Sequence, residues 1–256
     1  MNIRFVTLRN DEGKTYDSYS DYHKLIDLSG FPRCEMSEIN HFPPDPTVYV
    51  LAPTNGNALA VAAARRVKRC RMIAWMLERP INGLAGFIPE KFDEVWISDR
   101  WLAGQFKDNP RVRYVPMGGH AGLGGERSST FQYDATHQAY IYGRRDHIVQ
   151  ELQRAGIVIG NACWGKERDE QLATSRVGLC LHQDNLFLLE PLRFTLFSCW
   201  KLPLVSEFCH DFYPYDVYPL ERLKEAMQNG DGETNYRRLT SELTFRSCVE
   251  AALCQP

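Results

Sequence analysis

Short apolar runs alternate with helical patterns along the whole chain, and this alternation limits the fold more than any other feature. Ile3–Leu8, Thr47–Ala52, Arg71–Leu77, Glu94–Ile97 and Val112–Val115 read as strands. Between them Asp17–Leu28 reads as a helix closed by Gly30, Asn57 caps a helix through Arg66, and Ser98 caps Asp99–Phe106. The stretch after Val115 breaks the pattern with Gly118, Gly119, Gly122, Gly124 and Gly125. The alternation then restarts, with strands at Ala139–Tyr142, Ile157–Ile159, Val177–Leu181 and Leu202–Val205. Helices follow at Arg144–Ala155, Glu167–Thr174 and Pro191–Trp200, and Pro219–Gln228 and Asn235–Leu253 close the chain. Strands buried on both faces and separated by helices imply parallel sheets. The expected class is α/β: two Rossmann-like lobes with parallel sheets facing a central cleft. The boundaries expected are a lobe over 1–120, a glycine-rich linker over 121–135 and a second lobe over 136–256. One doubly wound domain with a long loop is the plainer alternative.

At 256 residues, with 44% hydrophobic and 24% charged side chains, the chain has material for a full core and is not a disordered sequence. Its net charge of -2 argues against a general electrostatic nucleic-acid binder, which needs surplus Lys and Arg. The most apolar stretch, Leu186–Phe197, is broken by Glu190 and Arg193, so no membrane span is expected. Met1–Arg9 reads as a strand rather than a signal peptide. The eight cysteines form no C-x-x-C pair and sit mostly in apolar patterns. Reduced, buried thiols in a cytoplasmic protein are expected, and no zinc site.

In open α/β sheets ligands bind beyond the carboxyl ends of the strands, so the turns after each strand hold the candidates. Gly143-Arg144-Arg145 opens a helix, where two guanidiniums could grip a diphosphate; paired surface arginines are the alternative. Gly160–Glu167 nearly spells a phosphate-binding P-loop, but Glu167 replaces the metal-binding hydroxyl, which leaves Lys166 as a phosphate contact or a solvated lysine. His182, Asn185, Glu190 and Arg193 follow a buried strand. Glu190 precedes Pro191, so helix capping explains it as well as a ligand's diol does. In the first half Glu78 and Arg79 stand at a strand end, with Glu78 a candidate base and Asp17 and His120 weaker ones. There is no Asp-x-Asp pair, Gly-x-Ser-x-Gly elbow or G-x-G-x-x-G loop.

Several of these strings resemble GT-B glycosyltransferases. Phe92–Ala103 resembles a strand–helix segment of their acceptor lobe, and Arg113–Gly118 the turn that ends it. Ala139–Arg145, Ser175–His182 and Glu190–Glu207 with Leu202-Pro203-Leu204-Val205 resemble the donor lobe. The resemblance implies a nucleotide-sugar-dependent transferase that moves a sugar to a hydroxyl acceptor such as a glycan or lipid-linked sugar, without a cofactor or an obligatory metal. Carried over, it implies donor contacts from Arg144, Arg145, Lys166 and Glu190, to which strand-end placement adds Gly143, His182, Asn185 and Arg193. Arg145 and Lys166 would stabilise the leaving group; Glu78 would act as base if the reaction inverts and would position the acceptor if it retains configuration, with Asp17, Arg79 and His120 also on the acceptor side. The second glutamate that such proteins often carry is replaced by Leu196 or Phe197. Two alternatives stand beside this reading. One is a sugar-nucleotide-binding or scaffold protein without transfer activity. The other is a phage-type enzyme acting on modified DNA bases, suggested by the basic run Arg65, Arg66, Lys68, Arg69, Arg71 and by Arg111 and Arg113.

Overall fold

A computed structural model describes residues 2–7, 20–35, 47–51, 71–77, 92–183 and 185–254. Contacts divide the chain into two compact units, Met1–Met117 with Val249–Pro256, and Gly118–Cys248.

The first unit holds a six-stranded sheet: β1 (Asn2–Thr7), β2 (Arg33–Glu35), β3 (Thr47–Leu51), β4 (Arg71–Met76), β5 (Glu94–Ile97) and β6 (Val112–Tyr114). Its order is β2-β1-β3-β4-β5-β6, with every pair parallel, as expected. Burial on both faces explains why β4 and β5 read as continuous apolar runs. Trp75 and Trp96 meet edge to face at 5.3 Å in the core of this unit. Helix α1 (Ser20–Leu28) buries Tyr22, Leu25 and Ile26 and ends at Gly30, whose φ of 72° suits glycine. Helix α2 (Arg100–Gly104) is capped by Asp99, not Ser98: Leu102 N donates to Asp99 Oδ1 at 2.7 Å. The Ser98 hydroxyl is spent in the core, accepting from Trp75 Nε1 at 2.8 Å and donating to Val115 O at 2.8 Å. The predicted helix over 57–66 lies outside the described residues.

The second unit holds β7 (Tyr133–Thr136), β8 (Ile159–Gly160), β9 (Ser175–Cys180), β10 (Leu204–Ser206) and β11 (Val217–Pro219) in the order β11-β10-β9-β7-β8, again all parallel. Helices α3 (Arg144–Arg154), α4 (Gly165–Ala173), α5 (Pro191–Cys199), α6 (Leu223–Asn229) and α7 (Glu233–Arg237) belong to it, and α8 (Phe245–Cys254) closes the described chain. Val177 and Leu179 face a core with Ala135, Val149 and Val205. Gly178 points the other way, and a Cβ there would lie 2.4 Å from the Phe197 ring of α5.

Three expectations need correction. The strand placed at Ala139–Tyr142 is Tyr133–Thr136. Its polar side chains serve the sheet, because Val158 N donates to Asp134 Oδ2 at 3.0 Å and Gln171 Nε2 to Thr136 Oγ1 at 2.7 Å. Residues 121–135 are part of the second unit, not a connector between units. A Cβ on Gly124 would stand 1.8 Å from Cys199 O, so the glycines allow close packing against α5. The single helix expected over Asn235–Leu253 is broken before α8, because Gly119 takes the backbone there: its N–H donates to Leu239 O and Leu243 O, and its carbonyl accepts from Phe245 N at 2.8 Å.

Among the described residues no helix is long and apolar enough to cross a membrane, and seven cysteines are in thiol form, with Cys163 half-buried and Cys254 exposed.

Candidate functional site

The carboxyl ends of β7, β9 and β10 lie side by side because those strands are neighbours in the sheet. The turn after β7 ends at Gly143, whose φ of 58° opens α3, so Arg144 and Arg145 occupy the first turn of that helix. The α3 N-terminus has no side-chain cap, leaving its first N–H groups without a side-chain partner. Arg145 is only 5% exposed. Its Nε donates to Leu181 O at 2.9 Å, just past β9, and its Nη2 to Glu190 Oε1 at 2.8 Å. Burial pushes its pKa down, and Glu190 opposes that shift.

Glu190 precedes α5 but makes no side-chain cap. Its carboxylate instead receives Arg145 on Oε1 and Arg193 on Oε2. Capping alone therefore does not account for it. Arg193 Nη1 also reaches Leu181 O at 3.4 Å. One backbone carbonyl and one carboxylate thus hold both guanidiniums.

Arg144 pairs with Glu207, which directly follows β10; Nη1 to Oε2 is 2.7 Å and Nη2 meets Oε1. The same carboxylate accepts the His182 backbone N–H at 2.9 Å. Hydrogen bonding to Glu207 raises the Arg144 pKa. Glu207 was not among the sequence candidates, although an acidic residue directly after a buried strand was a usable signal. The array sets three guanidiniums (Arg144, Arg145, Arg193) against two carboxylates (Glu190, Glu207). An anion arriving there meets surplus positive charge already held in place.

His182 is buried, with its ring edge on Phe187 at 5.8 Å and its backbone oxygen near Arg144 Nη1 at 3.4 Å. Burial lowers its pKa. The Arg144 guanidinium also lies 5.7 Å from the centre of the Phe187 ring. Asn185 is exposed on the same connection.

The remaining candidates stand elsewhere. Lys166 is 92% exposed and its ammonium lies 3.3 Å from Glu170, the arrangement of a solvated helix lysine. His120, expected on the acceptor side, belongs to the second unit, where its Nδ1 accepts from Gly122 N at 3.0 Å. Asp17, Glu78 and Arg79 lie outside the described residues, as do Arg65, Arg66, Lys68 and Arg69 of the basic run. Arg71 and Arg113 pair with Glu94, which draws them away from any cationic surface. No group of three or more His, Cys, Asp or Glu suited to a metal ion occurs among the described residues.

No protein-family model matches the chain, and no curated protein matches it in sequence. Solved structures do. HepE of Anabaena, solved with UDP and glucose, matches with a TM-score of 0.63 at 8% identity over 98% of each chain. AviGT4, a glycosyltransferase involved in avilamycin A biosynthesis, matches with a TM-score of 0.59 at 10% identity over 98% of this chain and 95% of that one. An α-glucosyltransferase solved with UDP and a 13-mer DNA containing an HMU base matches with a TM-score of 0.54 at 10% identity over 98% of each chain. At these identities the likeness establishes the fold: two parallel α/β units, the architecture of GT-B glycosyltransferases that the sequence resembled.

Proposed function

We propose that the chain is a glycosyltransferase that moves a sugar from a nucleotide diphosphate sugar to a hydroxyl acceptor. The observation that carries this reading is the ion-paired array of Arg144, Arg145, Arg193, Glu190 and Glu207 at adjoining strand ends. It stands on a fold shared with proteins solved with UDP.

In the proposed reaction the bond from the anomeric carbon to the β-phosphate oxygen breaks, and the acceptor oxygen bonds to that carbon. The acceptor proton leaves to a base, and a nucleoside diphosphate departs with the bonding pair. Negative charge grows on the β-phosphate, where Arg145, Arg193 and Arg144 stabilise it. The α3 N-terminus, which no side chain caps, adds the positive end of its helix dipole. Because both glutamates hold guanidiniums before the donor arrives, little reorganisation accompanies its binding. The exposed edges of Glu190, a quarter accessible, are the proposed partners of sugar or ribose hydroxyls. In this reading the guanidiniums do the work that a divalent cation does elsewhere; an inverting reaction also needs a base, for which Glu78 is the candidate from the sequence, and a retaining one does not. Asn185 is exposed on the connection between β9 and α5. Lys166 reaches a phosphate only by leaving Glu170, so its contribution is small. A cytoplasmic setting belongs to the proposal and is supported by the thiol state of the seven described cysteines.

The test mixes the full chain with UDP-, GDP-, ADP- and dTDP-sugars and follows thermal shift and slow donor hydrolysis. One donor is expected to stabilise the protein and to be hydrolysed. Stabilisation without turnover on any acceptor, glycan or hydroxymethylated duplex DNA, favours a binding protein instead. No stabilisation by any nucleotide sugar ends the proposal.

A further inference from the structure

An exposed aromatic ring stands directly beyond the ion-paired array. Phe208 follows Glu207 in the chain and keeps 63% of its surface open, an unfavourable position for a phenyl group. The ring is nevertheless held in place. It meets Phe187 edge to face at 5.6 Å and His210 at 5.5 Å, and Phe187 meets His182 at 5.8 Å. Phe187 also lies against the Arg144 guanidinium, 5.7 Å from its ring centre. Its φ of 51° is a left-handed backbone that a bulky side chain adopts only under constraint. The Phe187 carbonyl accepts from His210 N at 3.3 Å, which ties the turn after β9 to the turn after β10. These contacts form a chain: Arg144 binds Glu207 and touches Phe187, and Phe187 touches Phe208. A single ring therefore separates an array cation from the exposed phenyl group. Core packing does not account for Phe208, because most of its ring faces water.

We propose that Phe208 is the platform on which the donor's sugar ring stacks, and that it sets a preference for nucleotide sugar over free nucleotide. This rests on the glycosyltransferase reading. Such a donor carries a ring at each end of its diphosphate, the sugar on the β-phosphate and the nucleobase beyond the ribose. Aromatic side chains flank the array on both sides of the sheet order. Beyond β7 and β8, Tyr140 and Trp164 lie 6.4 Å apart, and Tyr140 O accepts from Arg145 Nη1 at 3.4 Å. Beyond β9 and β10 stand Phe187, Phe208 and His210. The carboxylates decide which end takes the sugar. Glu190 and Glu207 follow β9 and β10, and Glu190 keeps a quarter of its side chain accessible. An edge of several hydroxyl donors matches such acceptors better than a base with its mixed donors and acceptors. A hexose also presents a face of C–H groups, whose partial positive charge suits the negative face of a phenyl ring. Phe208 supplies that face beside the carboxylates.

The test is calorimetric titration of the full chain with UDP, GDP, ADP and dTDP and with their glucose, galactose, mannose and N-acetylglucosamine esters. The wild-type chain is expected to bind one ester about 10-fold more tightly than the matching free nucleotide. Phe208→Ala is expected to lose most of that preference, while its affinity for the free nucleotide stays within about 2-fold. Phe208→Tyr, which keeps the ring face, is expected to retain the preference. Unfolding midpoints of both variants are expected to match the wild type, since the ring is exposed, and this separates lost stacking from lost folding. Equal wild-type affinity for nucleotide and ester, or an unchanged preference in Phe208→Ala, overturns the inference and leaves the proposed function standing. A loss on free nucleotide as large as that on the ester also overturns it, and assigns Phe208 to the nucleoside end. A wild-type chain that binds no nucleotide ends the proposed function and this inference together.

Discussion

Arg145 and Glu190 stand 45 positions apart in the chain and meet at 2.8 Å, tying the turn after β7 to the turn after β9. The pair is more than an isolated bridge, because Arg193 takes the other carboxylate oxygen and both arginines share Leu181 O.

Glu190→Ala leaves two largely buried guanidiniums without their counter-charge. Stability is expected to fall by about 3–5 kcal/mol, read from urea unfolding. A residue that only capped α5 would lose about 1 kcal/mol. A loss of that smaller size argues against the ion-paired role.

Gly124→Ala tests whether residues 121–135 pack as part of the second unit. The added Cβ would meet the Cys199 carbonyl at 1.8 Å, and a loss of at least about 1–3 kcal/mol is expected. Gly104→Ala is the control: a Cβ there meets nothing within 4 Å, so this change is expected to be neutral or mildly stabilising. Equal effects of the two substitutions contradict the packing described.

Acid sensitivity follows from buried neutral histidines. Burial, then Arg33, lowers the His23 pKa to about 4, whereas the unfolded chain titrates near 6.5. The unfolded state therefore binds more protons below that pH. Stability is complete above about pH 6.5, declines as pH falls, and stops declining near the folded value. His137 and His182, lowered mainly by burial, act in the same direction. Urea midpoints are expected to drop between pH 7 and pH 5, with a smaller drop in His23→Leu; a flat profile contradicts this.

Much of this architecture was legible in the sequence because doubly buried strands read as unbroken apolar runs. Glu94–Ile97 matches β5 residue for residue, and Arg144–Ala155 matches α3 to within one residue. β7 was not legible, since Asp134 and Thr136 use polar side chains inside the sheet while the β-forming Tyr140 and Tyr142 are exposed in the turn beyond it. Within the site, Arg144, Arg145, Glu190 and Arg193 were readable from strand-end placement. Glu207 was not, because its partner Arg144 is 63 positions away and only the sheet order brings them together. Lys166 shows the converse: its near-P-loop string suggested a phosphate, but the side chain points into solvent beside Glu170.

Chelation tests the role given to the guanidiniums. If they carry the leaving-group charge, donor turnover is expected to be unchanged in excess EDTA, while Arg193→Met lowers it by about 100-fold or more. Loss of turnover on chelation, restored by a divalent cation, contradicts that role.

The central claim is that the second unit holds a nucleoside diphosphate on Arg144, Arg145 and Arg193. Calorimetric titration of the full chain with UDP, GDP, ADP and dTDP tests it most directly, using Arg145→Met as the comparison. Saturable binding of at least one nucleotide, weakened about 10-fold or more in the variant, is the result expected. Binding of none of them by the wild-type chain, or equal binding by the variant, contradicts the account.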